Sequence, residues 1–246
     1  PTSASSPKAI EGITGKTYGG TDPTDSSGTL QYVRVWHGGA IVGADNEING
    51  ITFGGVGSGT TVDHCEVAFN ADDGFEFFGG TVNVKYLSVL FVGDDAFDTD
   101  EGYQGKGQFL FTMLGEQGNH GTEMDSKYEN LPRSHPQFYG MTIVGSGSSG
   151  RQSAGMRLRE GTGGKFGNVV LAYPTDIGVK NDDCGSETRT QTLPAASTEI
   201  DTYLYFSSNN IISGATTAFS YGSGCSDAGF AAKITAPGFK SIGGQH

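Results

Sequence analysis

Apolar and polar residues alternate along this chain in short runs that return at nearly constant intervals. Runs rich in strand formers begin at Tyr32, Cys65, Leu87, Phe109, Met141, Val169 and Asn210. Val67 to Val89 spans 22 residues and Val89 to Phe111 another 22, after which the steps lengthen to 30, 28 and 41. A unit of about 22 residues with loop insertions lies within the period of solenoid proteins.

A short cassette follows each run. The cassettes are Asp72-Asp73-Gly74-Phe75-Glu76-Phe77-Phe78, Asp94-Asp95-Ala96-Phe97-Asp98-Thr99-Asp100, His120-Gly121-Thr122-Glu123-Met124-Asp125 and Ala154-Gly155-Met156-Arg157-Leu158-Arg159. Successive strand residues point to opposite faces. Phe75/Phe77, Phe97/Thr99, Thr122/Met124 and Met156/Leu158 therefore form the expected inward set. Glu76/Phe78, Asp98/Asp100, Glu123/Asp125 and Arg157/Arg159 form the outward, exposed set. Down the coils the outward set turns from acid to base, and Lys180 extends its basic end.

No stretch has helical periodicity, the dense Leu/Asn signature of leucine-rich repeats is missing, and a propeller blade needs about 40 residues. The pattern predicts an all-β chain: a right-handed parallel β-helix of about seven coils, stacked at about 4.8 Å. One domain is expected over 1–246, with a lead-in at 1–28 and a tail at 235–246. Insertions fall at 126–136, 146–153 and 181–202, and such loops commonly wall a cleft. The last apolar segment, 230–234, runs into Gly-rich sequence without a polar cap. Solenoids need capped ends, so this end is expected to continue into flanking sequence or to pack on a partner, self-association included.

Composition narrows the functional classes. With 41 glycines and 17% charged residues the chain suits a fold of many tight turns. A net charge of −12 argues against nucleic acid as partner, and favours a metal cation, a neutral ligand or solubility alone. An acidic polysaccharide stays open because Arg157, Arg159 and Lys180 cluster. Cys65 lies in an apolar run and reads as an inert buried thiol. Cys184 and Cys225 lie in Gly/Ser/Asp-rich loops and are candidates for a disulfide, which would mean an oxidising compartment. No stretch approaches a membrane span, and no signal peptide is visible.

Two resemblances emerge from these residues. Tyr18-Gly19-Gly20-Thr21-Asp22-Pro23, the segment 46–61 and Phe78-Gly79-Gly80-Thr81-Val82-Asn83-Val84-Lys85 resemble a family of secreted bacterial surface proteins, lipoprotein-like β-helices of unassigned activity. The likeness runs to about Asp182 and implies the fold and an extracellular or cell-surface setting. A shorter likeness is to polygalacturonases, inverting β-helix hydrolases with successive Asn-Thr-Asp, Asp-Asp, Gly-His-Gly and Arg-Ile-Lys motifs. Here the order is Asn70-Ala71-Asp72-Asp73, Gly93-Asp94-Asp95, Asn119-His120-Gly121 and Arg157-Leu158-Arg159, with Asn119 and Arg159 as departures.

By that likeness Asp95 is the general acid, Asp73 and Asp94 hold water, His120 tunes the acid, and Arg157 and Arg159 grip a substrate carboxylate, with Lys180 beside them. Phe78 and Trp36 are candidates to stack on a sugar ring. Against this stands the ordinary use of Asp and Asn in turns. The stacked Glu76, Asp98, Asp100, Glu123 and Asp125 repel one another unless a cation or the arginines intervene, so calcium is an alternative ligand, with no cofactor otherwise required. A lyase that uses a metal to neutralise a uronate combines both. Gly54-Gly55-Val56-Gly57-Ser58-Gly59 lacks the Lys-Ser/Thr of a phosphate loop, and the five histidines lack zinc spacing. Two functions are expected: hydrolysis of a uronate-containing polysaccharide, or a non-catalytic surface or matrix protein with calcium-bound carboxylate ladders.

Overall fold

The computed structural model describes residues 7–43, 46–127, 132–147, 151–174, 176–182, 204–207, 209–222, 225 and 239–242. These form a parallel β-helix. A seven-stranded sheet stacks Ile51–Gly54, Phe75–Phe78, Phe97–Asp100, His120–Met124, Ala154–Arg159, Ile177–Asp182 and Thr217–Tyr221. An eleven-stranded sheet carries the return limbs, its long strands being Asn83–Leu90, Lys106–Met113, Gln137–Val144 and Gly164–Ala172. Among the described residues no helix is long and apolar enough to cross a membrane.

Registers follow the sequence alignment. Phe75 pairs with Phe97, Phe97 with Thr122, and Thr122 with Met156, all buried inside. Rings stack along the axis: Phe53 on Phe77 at 5.1 Å, Phe77 on Tyr103 at 4.6 Å, and Phe166 on Phe206 at 5.1 Å. Offset stacks of this kind add to the area term of burial.

Along the return limbs the chain bends at residues in the left-handed region. Tyr32, His64, Tyr86 and Phe109 hold φ of 58°, 52°, 54° and 60°, continued by Gly140 at 71° and Asn168 at 52°. For bulky residues this conformation costs about 1–2 kcal/mol each. The bend throws the rings outward, where Tyr32, His64, Tyr86 and Phe109 stack at 4.9, 4.5 and 5.0 Å.

Two departures from a purely parallel helix lie near the start. Lys8–Ala9 pairs antiparallel with Thr17–Tyr18, and Ala40–Gly43 pairs antiparallel with Asn46–Ile48. The first hairpin lies across the seven-stranded sheet: Tyr18 packs against Gly54 and 5.9 Å from the Phe78 ring, and Lys8 pairs with Glu101. The outward face is therefore partly covered. Glu76, Phe78, Asp100 and Asp125 point outward as expected but are buried, 4 to 9% exposed. Cys225 is disulfide-bonded, whereas Cys65 is free and buried. Cys184 and the segment 230–234 lie outside the described residues, as do most of 181–202 and parts of the other two insertions.

Candidate functional site

The cassettes begin at a corner where the chain enters the seven-stranded sheet, and a column of small residues shapes that corner. Gly50, Gly74, Ala96, Gly121 and Gly155 occupy equivalent places on successive rungs. A Cβ on Gly121 would lie 2.4 Å from Ile143 Cγ2 and 2.7 Å from the Gly155 carbonyl oxygen. Such packing explains the Asp-Gly-Phe rhythm better than turn propensity does.

One residue earlier on each rung, Asp73, Asp95 and His120 form a ladder. Asp73 Oδ1 accepts the Asp95 backbone N–H at 2.8 Å. Asp95 Oδ1 accepts the His120 N–H at 2.6 Å and lies 2.8 Å from His120 Nδ1, while His120 Nε2 meets Ser153 Oγ at 2.7 Å. Burial and the neighbouring carboxylates push Asp73 and Asp95 well above the usual carboxylate range. Burial lowers His120 to about 4. Asp95 is 3% and His120 1% exposed, so a polymer does not reach them in this conformation. Asp72 flanks the ladder, raised to about 7 by burial and then by Asp94, whose own Oδ2 takes Arg151 at 3.1 Å.

The outward column runs Glu76, Asp98, Glu123, Arg157, Lys180 in paired register. Its basic half is internally paired. Arg157 reaches Glu123 Oε1 at 2.6 Å and Asp182 at 3.2 Å, and Arg159 reaches Glu123 at 3.1 Å and Asp125 at 3.3 Å. Lys180 lies 2.6 Å from Asp182. Asp100 takes Lys127 at 3.0 Å. The expected substrate clamp is thus occupied by carboxylates of the protein itself, and Phe78 is covered by Tyr18 rather than open to a sugar. Trp36 is 52% exposed, its Nε1 donating to Glu66 at 2.9 Å.

The acidic half lacks such partners. Oxygens of Asp73, Glu76 and Asp98 lie within 4.8 Å of one another, and among the described residues no lysine or arginine pairs with them. Asp98 Oδ1 is buried without a hydrogen bond. Asn49 Nδ2 donates to Glu76. Burial pushes all three above the usual range, reinforced by Asp73 at Glu76 and Asp98, and by Asp95 and Asp72 at Asp73. An all-oxygen cluster with an orphaned oxygen fits a hard cation such as calcium. Two further clusters, Asp72/Asp73/Asp94 and Asp95/His120/Glu123, have the same spacing. Both already engage arginines.

The model of a family described as a pectate-lyase like beta helix domain matches residues 2–235. The chain belongs to that family. It is accordingly a polysaccharide-related β-helix protein. No curated protein and no solved structure matches it.

A lined depression lies apart from the cassette face. It lies on the outer face of the eleven-stranded sheet, about 570 Å³ in volume, and Lys85, Lys106, Lys165, Tyr139 and Tyr205 are among its lining. The signal was present as lysines and tyrosines at outward parity before each bend. Those polar segments contain few apolar residues, so they do not register as strands.

Proposed function

We propose that this protein is an extracellular, non-catalytic polysaccharide-binding β-helix whose acidic column is neutralised by calcium at Asp73, Glu76 and Asp98. The observation that carries the reading is that orphaned carboxylate cluster beside a basic half already paired within the protein. Hard oxygen ligands suit calcium, and a bound cation would tie adjacent rungs together. The disulfide of Cys225 supports an oxidising compartment.

Turnover by the expected acid is disfavoured by its surroundings: Asp95 is buried, and its Oδ1 is held by the His120 N–H and Nδ1 at 2.6 and 2.8 Å. Hydrolysis keeps one observation in its favour: Asp72 holds a proton near neutrality beside Asp94.

The deciding experiment pairs calcium titration calorimetry with a reducing-end and unsaturated-product assay over a polysaccharide panel. Calcium binding, polysaccharide retention and blank product assays are expected. Product release that Asp72→Asn abolishes would overturn the non-catalytic reading, and loss of calcium heat in wild type would remove the cation.

A further inference from the structure

The depression on the eleven-stranded sheet is built from two outward columns in continuous register. One runs Thr61, Asn83, Lys106, Gln137, Lys165, Tyr205. The other runs Asp63, Lys85, Gln108, Tyr139, Gly167. Lys106 and Lys165 stand two rungs apart in one column, about 10 Å at the strand spacing. Lys85 stands one rung from Lys106 in the next column.

The charge of this strip departs from that of the molecule. The protein carries −12, yet the strip gathers three lysines with Asp63 as its sole lining acid. Asp63 sits at the rim, where Gln31 and His64 already engage it at 2.8 and 2.9 Å. Among the described residues neither Lys85 nor Lys106 has an ion-pair partner. Lys85 Nζ instead rests 5.7 Å from the Tyr86 ring and 5.8 Å from the Phe109 ring.

Aromatic surface is laid into the same strip. A Cβ on Gly167 would lie 2.2 Å from Tyr139 Cε2, so this glycine makes room for the ring to lie along the groove. Tyr139 is 47% and Tyr205 42% exposed. Gln108, Gln137 and Asn83 add amides able to pair with hydroxyls. Cationic charge repeated at a regular interval, flat apolar rings and neutral amides together describe one ligand chemistry, a polymer of sugar rings bearing anionic groups.

We infer that this groove binds a strand of anionic polysaccharide. Its carboxylate or sulfate groups meet Lys106, Lys165 and Lys85, and its sugar faces lie against Tyr139 and Tyr205. The inference rests on the polysaccharide-binding reading above and adds the place and the charge class. The face differs from the acidic column, which repels such a polymer, so binding here does not need calcium.

Affinity electrophoresis of the full chain in gels containing polygalacturonate, dextran sulfate or neutral dextran tests it, in chelator and at several salt concentrations. Wild type should be retarded by a charged gel and not by dextran. Retardation by dextran sulfate alone identifies sulfate as the recognised group, and retardation by polygalacturonate identifies carboxylate. The double variant Lys106→Gln/Lys165→Gln should weaken binding at least tenfold and flatten its salt dependence, and Tyr139→Ala should weaken it severalfold at every salt concentration. Lys16→Gln, exposed elsewhere, serves as the control. Binding that survives the lysine variants but disappears with chelator or Asp98→Asn would overturn the groove and leave the polysaccharide reading standing. Absence of binding to every gel would overturn both.

Discussion

The backbone N–H and the ring Nδ1 of His120 converge on a single oxygen, Oδ1 of Asp95, at 2.6 and 2.8 Å. With the proton on Nδ1, Nε2 accepts from Ser153 Oγ–H and every group is satisfied. This places Asp95 as a corner tie between rungs. Asp95→Asn keeps an oxygen for both donors and should change stability by less than about 1 kcal/mol. Asp95→Ala orphans two buried groups at about 1–3 kcal/mol each and should cost about 3 kcal/mol. Urea denaturation of the two variants separates them, and equal losses would contradict the tie.

Calcium and pH should act on stability in opposition. Asp72, raised to about 7, and Asp73, Glu76 and Asp98, raised well above their usual range, bind more protons folded than unfolded. Their stabilising contribution is full below the ordinary carboxylate pKa and is lost as pH rises through their raised values, about 7 for Asp72. His120, lowered to about 4, works the other way, favouring the fold as pH rises from about 4 toward 6.5. Asp95, Asp100 and Asp125 are raised too, so with seven carboxylates against one imidazole the chelated protein should melt lower at pH 8 than at pH 5. Calcium at a hundred times its Kd adds about 2.7 kcal/mol, chiefly at the higher pH. Scanning calorimetry with and without chelator at both pH values measures this, and an equal calcium effect at both would refute the cluster.

The corner column of small residues should tolerate no growth where its neighbours are fixed. Gly121→Ala drives a methyl into Ile143 Cγ2 and the Gly155 carbonyl, an overpacking cost of about 1–3 kcal/mol. Thermal melting gives the comparison with Gly147→Ala, where no atom lies within 4 Å but φ is positive. Clash acts at Gly121 and backbone strain at Gly147, so a larger loss at Gly121 is expected, and a larger loss at Gly147 would contradict the packing argument.

Tyr18 should matter well beyond its short hairpin. Tyr18→Ala removes the ring that covers Phe78 and Gly54 and should cost about 2–3 kcal/mol, somewhat less than truncating a fully buried aromatic. Hydrogen exchange should rise at Phe75–Phe78 in particular. Unchanged exchange there would mean that the hairpin does not protect the sheet.

The solenoid and the acid-to-base column were legible because alternation and a 22-residue step act on every coil. Glu76, Asp98, Glu123, Arg157 and Lys180 stand in the register that the cassettes predict. Burial of Glu76 and Phe78 was not legible, because the covering hairpin comes from the lead-in, far away in sequence. The pairing of Arg157 with both Glu123 and Asp182 was hidden likewise, since it joins three rungs. The lysine groove stayed hidden for another reason: its strands run through a bend at Tyr86 or Phe109 that breaks the alternation.

The ladder at the corner has a direction. Asp73 receives the backbone of the next coil at Asp95, and Asp95 receives the next at His120. The main chain runs the other way at the same corner: the Gly74 N–H donates to the Asp95 carbonyl and the Ala96 N–H to that of His120. Each pair of coils is thus fastened by two bonds of opposite sense, one from a side chain and one from the backbone. Neither coil can peel from the other without breaking both.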